Sequence, residues 1–596
     1  MCGFVGSFNP RAGIGADELN VRGTRMAEAI QHRGPDDHGV WCDETSGIML
    51  AHRRLAIIDL SPAGHQPMVS RCGWFQLVYN GEIYNFESVR EELGAEASFR
   101  GRSDTEVLVE AIARWGLDAT LSKLNGMFGF ALWDQKERTV SLVRDRMGIK
   151  PVYYGVCGRT LLFGSELKAL RQHPDFDASI NRTAIGELLQ HSYIPTSRSI
   201  YEGVFKLPPA HVLTVRADDL GQTLRPRRYW SIPFDADASE DWETQFEVTL
   251  TDAVGSRMLA DVPLGAFLSG GIDSSTVVAL MQSLSDRPVK TFTIGFEEAE
   301  WNEAPHAARI AKHLGTDHTE FFVTADEARN VIPDLPAIYD EPFADVSQIP
   351  TFLVSKLARQ HVTVCLSGDG GDELFGGYDR YHHIRGINDK RKKVPNFARG
   401  PLAALITHPL LQKLRGNAPR ESSLWRGVLK AADIRELYLF LHRHWREPEQ
   451  LVVGYHVDDV VGFRQNAEFE PNSVGGLFTM MAIDHEAYFP DDILVKVDRA
   501  SMRVGLEARV PLLDHRVVEH AWRMEPNRRF AGAKQKQALR NVLKKYVPLE
   551  MFDRPKAGFG VPIDSWLRGP LRDWAEALLS EERLKREGYL SPAPIR

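Results

Sequence analysis

The sequence is poor in cysteine, in basic excess and in long apolar runs, and each shortage narrows what the chain can be. Five cysteines (Cys2, Cys42, Cys72, Cys157 and Cys365) are scattered over 596 residues. They are odd in number and lack CxxC spacing, so neither a disulfide framework nor a cysteine zinc site is expected, and a reducing cytoplasm fits best. No stretch is apolar for long enough to span a bilayer, and the N-terminus lacks a basic region followed by an apolar signal core, so no membrane partner is expected. The formal net charge of -8 is spread along the chain. A nucleic-acid partner would need a basic face, and none is visible. What remains is 43% hydrophobic and 26% charged residues, the composition of a globular protein. The length predicts two or more domains.

The first third reads as short β runs with turns. Ile48–His52, Arg54–Leu60, Phe128–Asp134 and Val140–Asp145 look like strands, and Phe86–Leu93 and Thr105–Trp115 carry helical periodicity. Trp74–Tyr79 leads into Asn80-Gly81, a dipeptide that favours hairpin turns. This pattern predicts a layered α+β domain. Composition shifts near Ala217–Trp242, which sets the expected domains at 2–216 and 240–596. Beyond it, strands at Pro263–Leu268, Val289–Phe296, Glu320–Val323 and Val362–Ser367 alternate with helices at Ser274–Ser283, Ala304–Leu314, Ala325–Ala337 and Thr351–Gln360. That alternation predicts a doubly wound parallel sheet, followed past Leu374 by a mainly helical part.

Cys2 follows Met1 directly. Removal of the methionine would leave a thiol and an α-amine on one residue, and an amine of pKa about 7.7–8.0 can serve that thiol as its own general base. Within the same domain His52-Arg53-Arg54, Asn80-Gly81-Glu82 and Ser103-Asp104-Thr105-Glu106 supply a cation, an amide and carboxylates. Together these could fork onto a carboxylate, hold an ammonium and form an oxyanion hole, as recognition of an α-amino acid beside a thiol requires.

Two glycine-rich loops stand at predicted strand ends in the second domain. Ser269-Gly270-Gly271-Ile272-Asp273-Ser274-Ser275 offers backbone amides and hydroxyls to phosphate oxygens at a helix start, without the spacing or lysine of a Walker loop. Ser367-Gly368-Asp369-Gly370-Gly371-Asp372-Glu373 brings three carboxylates to one strand end, which calls for a cation or a basic partner. Asp273 is a candidate magnesium ligand for the same reason.

The strings MCGFVG, HRGPDDHG, LAHRRLAIIDL, YNGEIYN, RSDTEV, NGMFGFALWD, RDRMGIKPVYY, SGGIDSS, SGDGGDELFGGY and LEARVPLLDH run in this order along the chain. By them the sequence resembles the glutamine-dependent asparagine synthetase family, a class II amidotransferase joined to an ATP-pyrophosphatase domain. The resemblance implies an N-terminal nucleophile (Ntn) hydrolase sandwich, then an α/β parallel-sheet domain of the adenine-nucleotide alpha-hydrolase type with a helical C-terminal part. It implies ATP and magnesium as cofactors and glutamine, ATP and a carboxylate as small-molecule partners, and it leaves room for a homodimer.

It also implies roles. Cys2 would attack the glutamine amide, with Asn80 and Gly81 as oxyanion hole. Arg54, Ile57, Asn80, Glu82 and Asp104 would bind glutamine. Released ammonia would pass to the second site, where Leu268, Ser269, Gly270, Gly271, Asp273, Ser274, Ser275, Ile294, Ser367 and Gly368 would bind ATP and Asp273 and Asp372 would hold magnesium. Asp369 and Lys556 would serve formation and breakdown of an acyl-adenylate on aspartate. Relatives of the well-known type carry Glu where this chain has Asp369, a carboxylate shorter by about 1.5 Å. The alternative acceptor is therefore another carboxylate, such as a uronic acid of an exopolysaccharide or a secondary-metabolite precursor, and a further alternative is a glutaminase or binding protein with an inert second domain.

Overall fold

The computed structural model describes residues 2–94, 98–233, 239, 241–296, 302–406, 408, 419–456, 475–525, 535–554 and 560–596. Among them three sheets form. In the first, Gly3–Phe8 lies antiparallel between Thr160–Gly164 and Ile48–Arg54, with Tyr153–Cys157 and Val204–Lys206 beyond one side and Asp37–Asp43 on the other. The second runs Arg227–Arg228, His211–Val215, Thr139–Arg144, Gly126–Asp134, Phe75–Ile83 and Met68–Val69, again antiparallel.

The two sheets stack through Phe4, Phe8, Leu50, Val78, Trp133 and Leu142. The helix Ala16–Glu28 packs Leu19 and Met26 on the outer face of the first sheet. Helices Phe86–Leu93 and Asp104–Trp115 cover the second. Every residue of Gly3–Phe8 is consequently buried, because the strand has apolar matter on both faces. This is the four-layered α+β sandwich that the resemblance implies, and it anchors the N-terminus in a central strand.

The third sheet is parallel, in the order Asp317–Val323, Lys290–Phe296, Leu264–Phe267, Val364–Leu366, Glu507–Arg509. The chain winds outward in one direction from Leu264–Phe267 and in the other from Val364–Leu366. Open α/β sheets bind ligands at that reversal, outside the carboxyl ends of the strands. Ala266 pairs with Leu366, so the two glycine-rich loops leave the sheet side by side.

Four local expectations need correction. Arg54–Leu60 is not a strand: pairing stops at Arg54, Asp59 takes φ +57°, and Asp36 and Asp261 carboxylates capture the amides of Ala56 and Asp59. Asn80-Gly81 is not a turn but lies inside the strand Phe75–Ile83, paired with Gly129 and Phe128. Ala325–Ala337 is not one helix. It breaks into Ala325–Arg329, a 3-10 turn at Ile332–Asp334 and Leu335–Tyr339, since Pro333 and Pro336 donate no backbone N–H and each restarts the turn. The helical part past Leu374 also holds a strand, Glu507–Arg509, at the sheet edge. Its three residues are too few for an alternating pattern to be read.

Sandwich and parallel sheet meet through buried ion pairs. Arg33 contacts Asp498 at 2.9 Å, Arg499 contacts Glu166 at 2.9 Å and Lys206 contacts Glu341 at 2.7 Å. Asp514, between Arg257 at 3.0 Å and Asn125 at 2.8 Å, is held far below the usual carboxylate range against its burial.

Candidate active sites

Cys2 immediately precedes the central strand, and Asn80 comes from the facing sheet. The Cys2 backbone N–H donates to Asn80 Oδ1 at 2.9 Å; with Met1 removed, that nitrogen is the α-amine. Asn80 Oδ1 is thereby used while its Nδ2, fully buried, has no hydrogen-bond partner among the described residues. An unsatisfied buried donor costs about 1–3 kcal/mol, so this N–H₂ is set to receive an oxygen that is not the protein's own. The Cys2 Sγ faces the Leu55 carbonyl at 3.9 Å. Burial pushes the thiol up, while Leu55 and the Arg54 charge act the other way.

Arg54 is fixed at the end of its strand by the Ser61 carbonyl at 3.0 Å and by the Asp59 carbonyl. Ile57 is buried. Residues 80 and 82 share one face of their strand, which places Glu82 next to Asn80. Glu82 Oε2 accepts from Arg509 at 3.1 Å, and its Oε1 has no partner among the described residues. Asp104 opens a helix capped by Ser103 and accepts from Tyr79 Oη at 2.7 Å and from the Ile83 N–H at 3.0 Å. Burial, and then the charge of Asp104, drives Glu82 well above its ordinary range; burial raises Asp104 too. A cation between two carboxylates so raised would relieve both. Gly81 lies between Asn80 and Glu82, its backbone in the ladder opposite Phe128.

The second site is a cavity of 540 Å³ between the two glycine-rich loops. Leu268, Ser269, Gly271, Asp273, Ser274, Ile294, Ser367, Gly368, Asp369 and Asp372 all lie on its wall. Gly270 does not: it makes the turn at φ +74°, backed against His306 and Ala307. Ser275 is also off the wall, fully buried in the first turn of the helix Ile272–Ser283. Gly368 permits the approach of the two loops, for a Cβ there would stand 2.5 Å from the Ser274 nitrogen. Lys556 falls outside the described residues.

Asp273 and Asp372 converge on one ammonium. Lys536 Nζ contacts Asp273 and stands 2.7 Å from Asp372 Oδ1. The pair draws the lysine upward against burial. Two carboxylates within reach of one cation, beside amides suited to phosphate, match how magnesium is held together with a nucleotide. Asp273 and Asp372 therefore fit magnesium, which would neutralise triphosphate charge when bound.

Asp369 accepts from Ser367 Oγ at 2.8 Å and is raised by burial, with Lys496 opposing. Lys496 is held by Asp345 at 2.8 Å and by Ser347 Oγ at 2.7 Å. Glu373 accepts from Tyr378 Oη at 2.5 Å and is pushed up to about 7 by burial and Asp372. Lys496 and Lys536 escaped the sequence reading. The signal for the second was a lysine at the start of a helix, Lys536-x-x-Leu539-Arg540.

An N-terminal thiol site in an antiparallel sandwich, joined to a nucleotide-type cavity at a parallel-sheet reversal, defines a two-site amidotransferase architecture. Residues 245–596 match the asparagine synthase family model and residues 1–230 the glutamine amidotransferase domain model. The chain is 32% identical over 591 residues to glutamine-hydrolyzing asparagine synthetase 1 of Bacillus subtilis, covering 98% of this chain and 90% of the relative. It is 28% identical over 604 residues to asparagine synthetase 3 of the same organism, covering 98% and 90%. To amidase chry2 of Gibberella zeae it is 27% identical over 613 residues, covering 94% and 88%. The chain belongs to the asparagine synthase family, and is a carbon–nitrogen ligase with glutamine as amido donor.

Proposed function

We propose that the protein makes asparagine from aspartate, with ammonia released from glutamine at the Cys2 site. The unpartnered Asn80 Nδ2 beside Cys2 carries the first half of this reading. Cys2 attacks the glutamine amide, its thiol proton passing to its own amine; Asn80 and the Gly81 backbone receive the oxyanion. Arg54 takes the substrate carboxylate, and Glu82 and Asp104 its ammonium. Removing one oxyanion donor from such a site costs about 10²–10³ in kcat.

In the second half, the 540 Å³ cavity would take ATP, with the Ser269–Ser275 loop suited to its phosphates and Asp273 and Asp372 as the residues that would hold magnesium. An ionised carboxylate is a poor electrophile until AMP becomes its leaving group, which explains the use of ATP. Lys536 is suited to balance charge on the adenylate, and Asp369 to assist ammonia attack. Aspartate needs both a cation and an anion from its pocket. Lys496, with Asp345 against it, and the raised carboxyl of Glu373 are of the right kinds. A cytoplasmic location accords with free thiols at a site of this chemistry.

A second reading keeps both half-reactions but amidates another carboxylate, such as a uronic acid. It is favoured by Asp369 in place of a longer glutamate and by the similarity to an amidase. A mass-resolved product assay with glutamine, ATP–magnesium and a panel of carboxylates tests both. Aspartate should drive pyrophosphate release and yield asparagine. No pyrophosphate with aspartate, in enzyme that still hydrolyses glutamine, would transfer the reading to another acceptor. No pyrophosphate with any acceptor would mean an inert second domain.

A further inference from the structure

One fully buried residue touches the machinery of both sites, one through its backbone and the other through its side chain. Arg509 ends the edge strand Glu507–Arg509, and its backbone carbonyl accepts from the Ser367 N–H at 2.9 Å. Ser367 is the first residue of the loop that walls the nucleotide cavity. The guanidinium of the same residue reaches into the sandwich. There its Nη2 donates to Glu82 Oε2 at 3.1 Å.

The guanidinium has little freedom to move alone. Nε donates to Glu507 Oε1 at 2.6 Å, and Nη1 to the carbonyls of Arg257 at 2.9 Å and Leu259 at 2.6 Å. A planar fork so held cannot follow Glu82 without straining its bond to Glu507, which belongs to the same three-residue strand as the Arg509 backbone. Glu82 is the group that would pull. One of its oxygens is on Arg509, and the other has no partner among the described residues and faces a site rich in carboxylate. An ammonium arriving at Oε1 shares the charge that Arg509 otherwise neutralises alone.

We propose that Arg509 is the positioning residue through which occupation of the Cys2–Asn80–Glu82 site is felt at the Ser367–Glu373 loop, and the reverse. The proposal rests on reading the first site as the glutamine site. Coupling between sites is reciprocal and typically amounts to about 5–150-fold in affinity. It requires no contact between the two ligands.

The test uses full-length Cys2→Ala enzyme, in which glutamine binds without being consumed. ATP–magnesium affinity is measured by titration calorimetry with and without saturating glutamine, and glutamine affinity with and without ATP–magnesium. Glutamine should shift ATP affinity by about fivefold or more, and ATP should shift glutamine affinity by the same factor. Adding Arg509→Lys, which keeps the buried charge but cannot fork, should reduce both factors to about twofold or less. Glu507→Gln, which loosens the fork from its other side, should reduce them in the same direction and keeps the test available if Arg509→Lys fails to fold. Equal factors in the parent and both variants, or no coupling in the parent, would overturn the proposal. A uniform loss of both affinities with the factors intact would assign Arg509 a structural role only, which also overturns it. Failure of wild-type enzyme to hydrolyse glutamine would instead remove the reading of the first site, and that assay is run separately.

Discussion

Lys536 Nζ stands 2.7 Å from Asp372 Oδ1 and also contacts Asp273, so the carboxylates of two loops share one cation. That lysine is 263 positions from Asp273, and the two meet only in the folded chain. On the proposed reading, a nucleotide with its magnesium would compete for the same carboxylates, and Lys536 would then turn toward phosphate or adenylate. Asp273→Asn and Asp372→Asn should each lose pyrophosphate release by at least about a hundredfold while glutamine hydrolysis persists. Unchanged magnesium dependence in both variants would show that the ion is held elsewhere.

At the other site, Cys2→Ala should lower glutamine hydrolysis by about three orders of magnitude or more, as removal of a nucleophile does. Synthesis from added ammonia should stay near the wild-type rate, because the cavity between the glycine-rich loops shares no lining residue with Cys2. Comparing glutamate and pyrophosphate production on the same preparations checks both. Active enzyme that retains Met1 would remove the α-amine from the mechanism.

Asn80→Ala separates binding from catalysis. The donor Nδ2 has no ground-state partner among the described residues, so its loss should appear in kcat, by about 10²–10³, more than in the KM for glutamine. Alkylation of Cys2 by iodoacetamide should continue in the variant. A KM effect alone would make Asn80 a binding group rather than an oxyanion donor.

Away from both sites, Glu187 gives a pH signature. Burial pushes it up to about 7, with Arg198 at 3.2 Å opposing. Because its folded pKa exceeds the unfolded value of about 4.3, the folded chain holds this proton more tightly. Its contribution to stability is complete below about pH 4 and fades as pH rises through 7. Glu187→Gln should therefore raise the melting temperature at pH 8 and change it little at pH 5. A variant melting below wild type at pH 8 would mean that the ionised pair with Arg198 outweighs burial.

Much of this architecture was legible in the chain because its signals are local. The alternation of strand and helix from Leu264 to Leu366 follows from periodicity, and Ser269–Ser275 announces a phosphate loop by composition. The misreadings arise where distant pairing overrides local preference. Asn80-Gly81 favours a turn in isolation, yet nine residues of Phe75–Ile83 pair with Gly126–Asp134 and hold the dipeptide extended. That same extension aims Asn80 and Glu82 at one site. Arg509 shows the limit more sharply: it meets Glu82 across 427 positions, and nothing near it in sequence carries that information.

The two loops of the nucleotide cavity also meet backbone to backbone at Gly368, which gives the sharpest separation of the half-reactions. A Cβ at position 368 would stand 2.5 Å from the Ser274 nitrogen and 2.8 Å from the Asp273 carbonyl carbon. Both are backbone atoms, so no flexible side chain can yield. Relief must come from moving the Ser269–Ser275 loop away from the Ser367–Glu373 loop, which carries Asp273 away from Asp372. Gly368→Ala should therefore weaken ATP binding and abolish measurable pyrophosphate release. Glutamine hydrolysis should remain within about twofold, since it is the Ser269–Ser275 loop that yields while Ser367 keeps its bond to the Arg509 carbonyl. Overpacking of this kind typically costs about 1–3 kcal/mol, so a modest fall in melting temperature is expected alongside. Calorimetric titration of ATP–magnesium into the variant decides the matter. Wild-type affinity would mean that the loops tolerate separation and that their contact does not shape the nucleotide site.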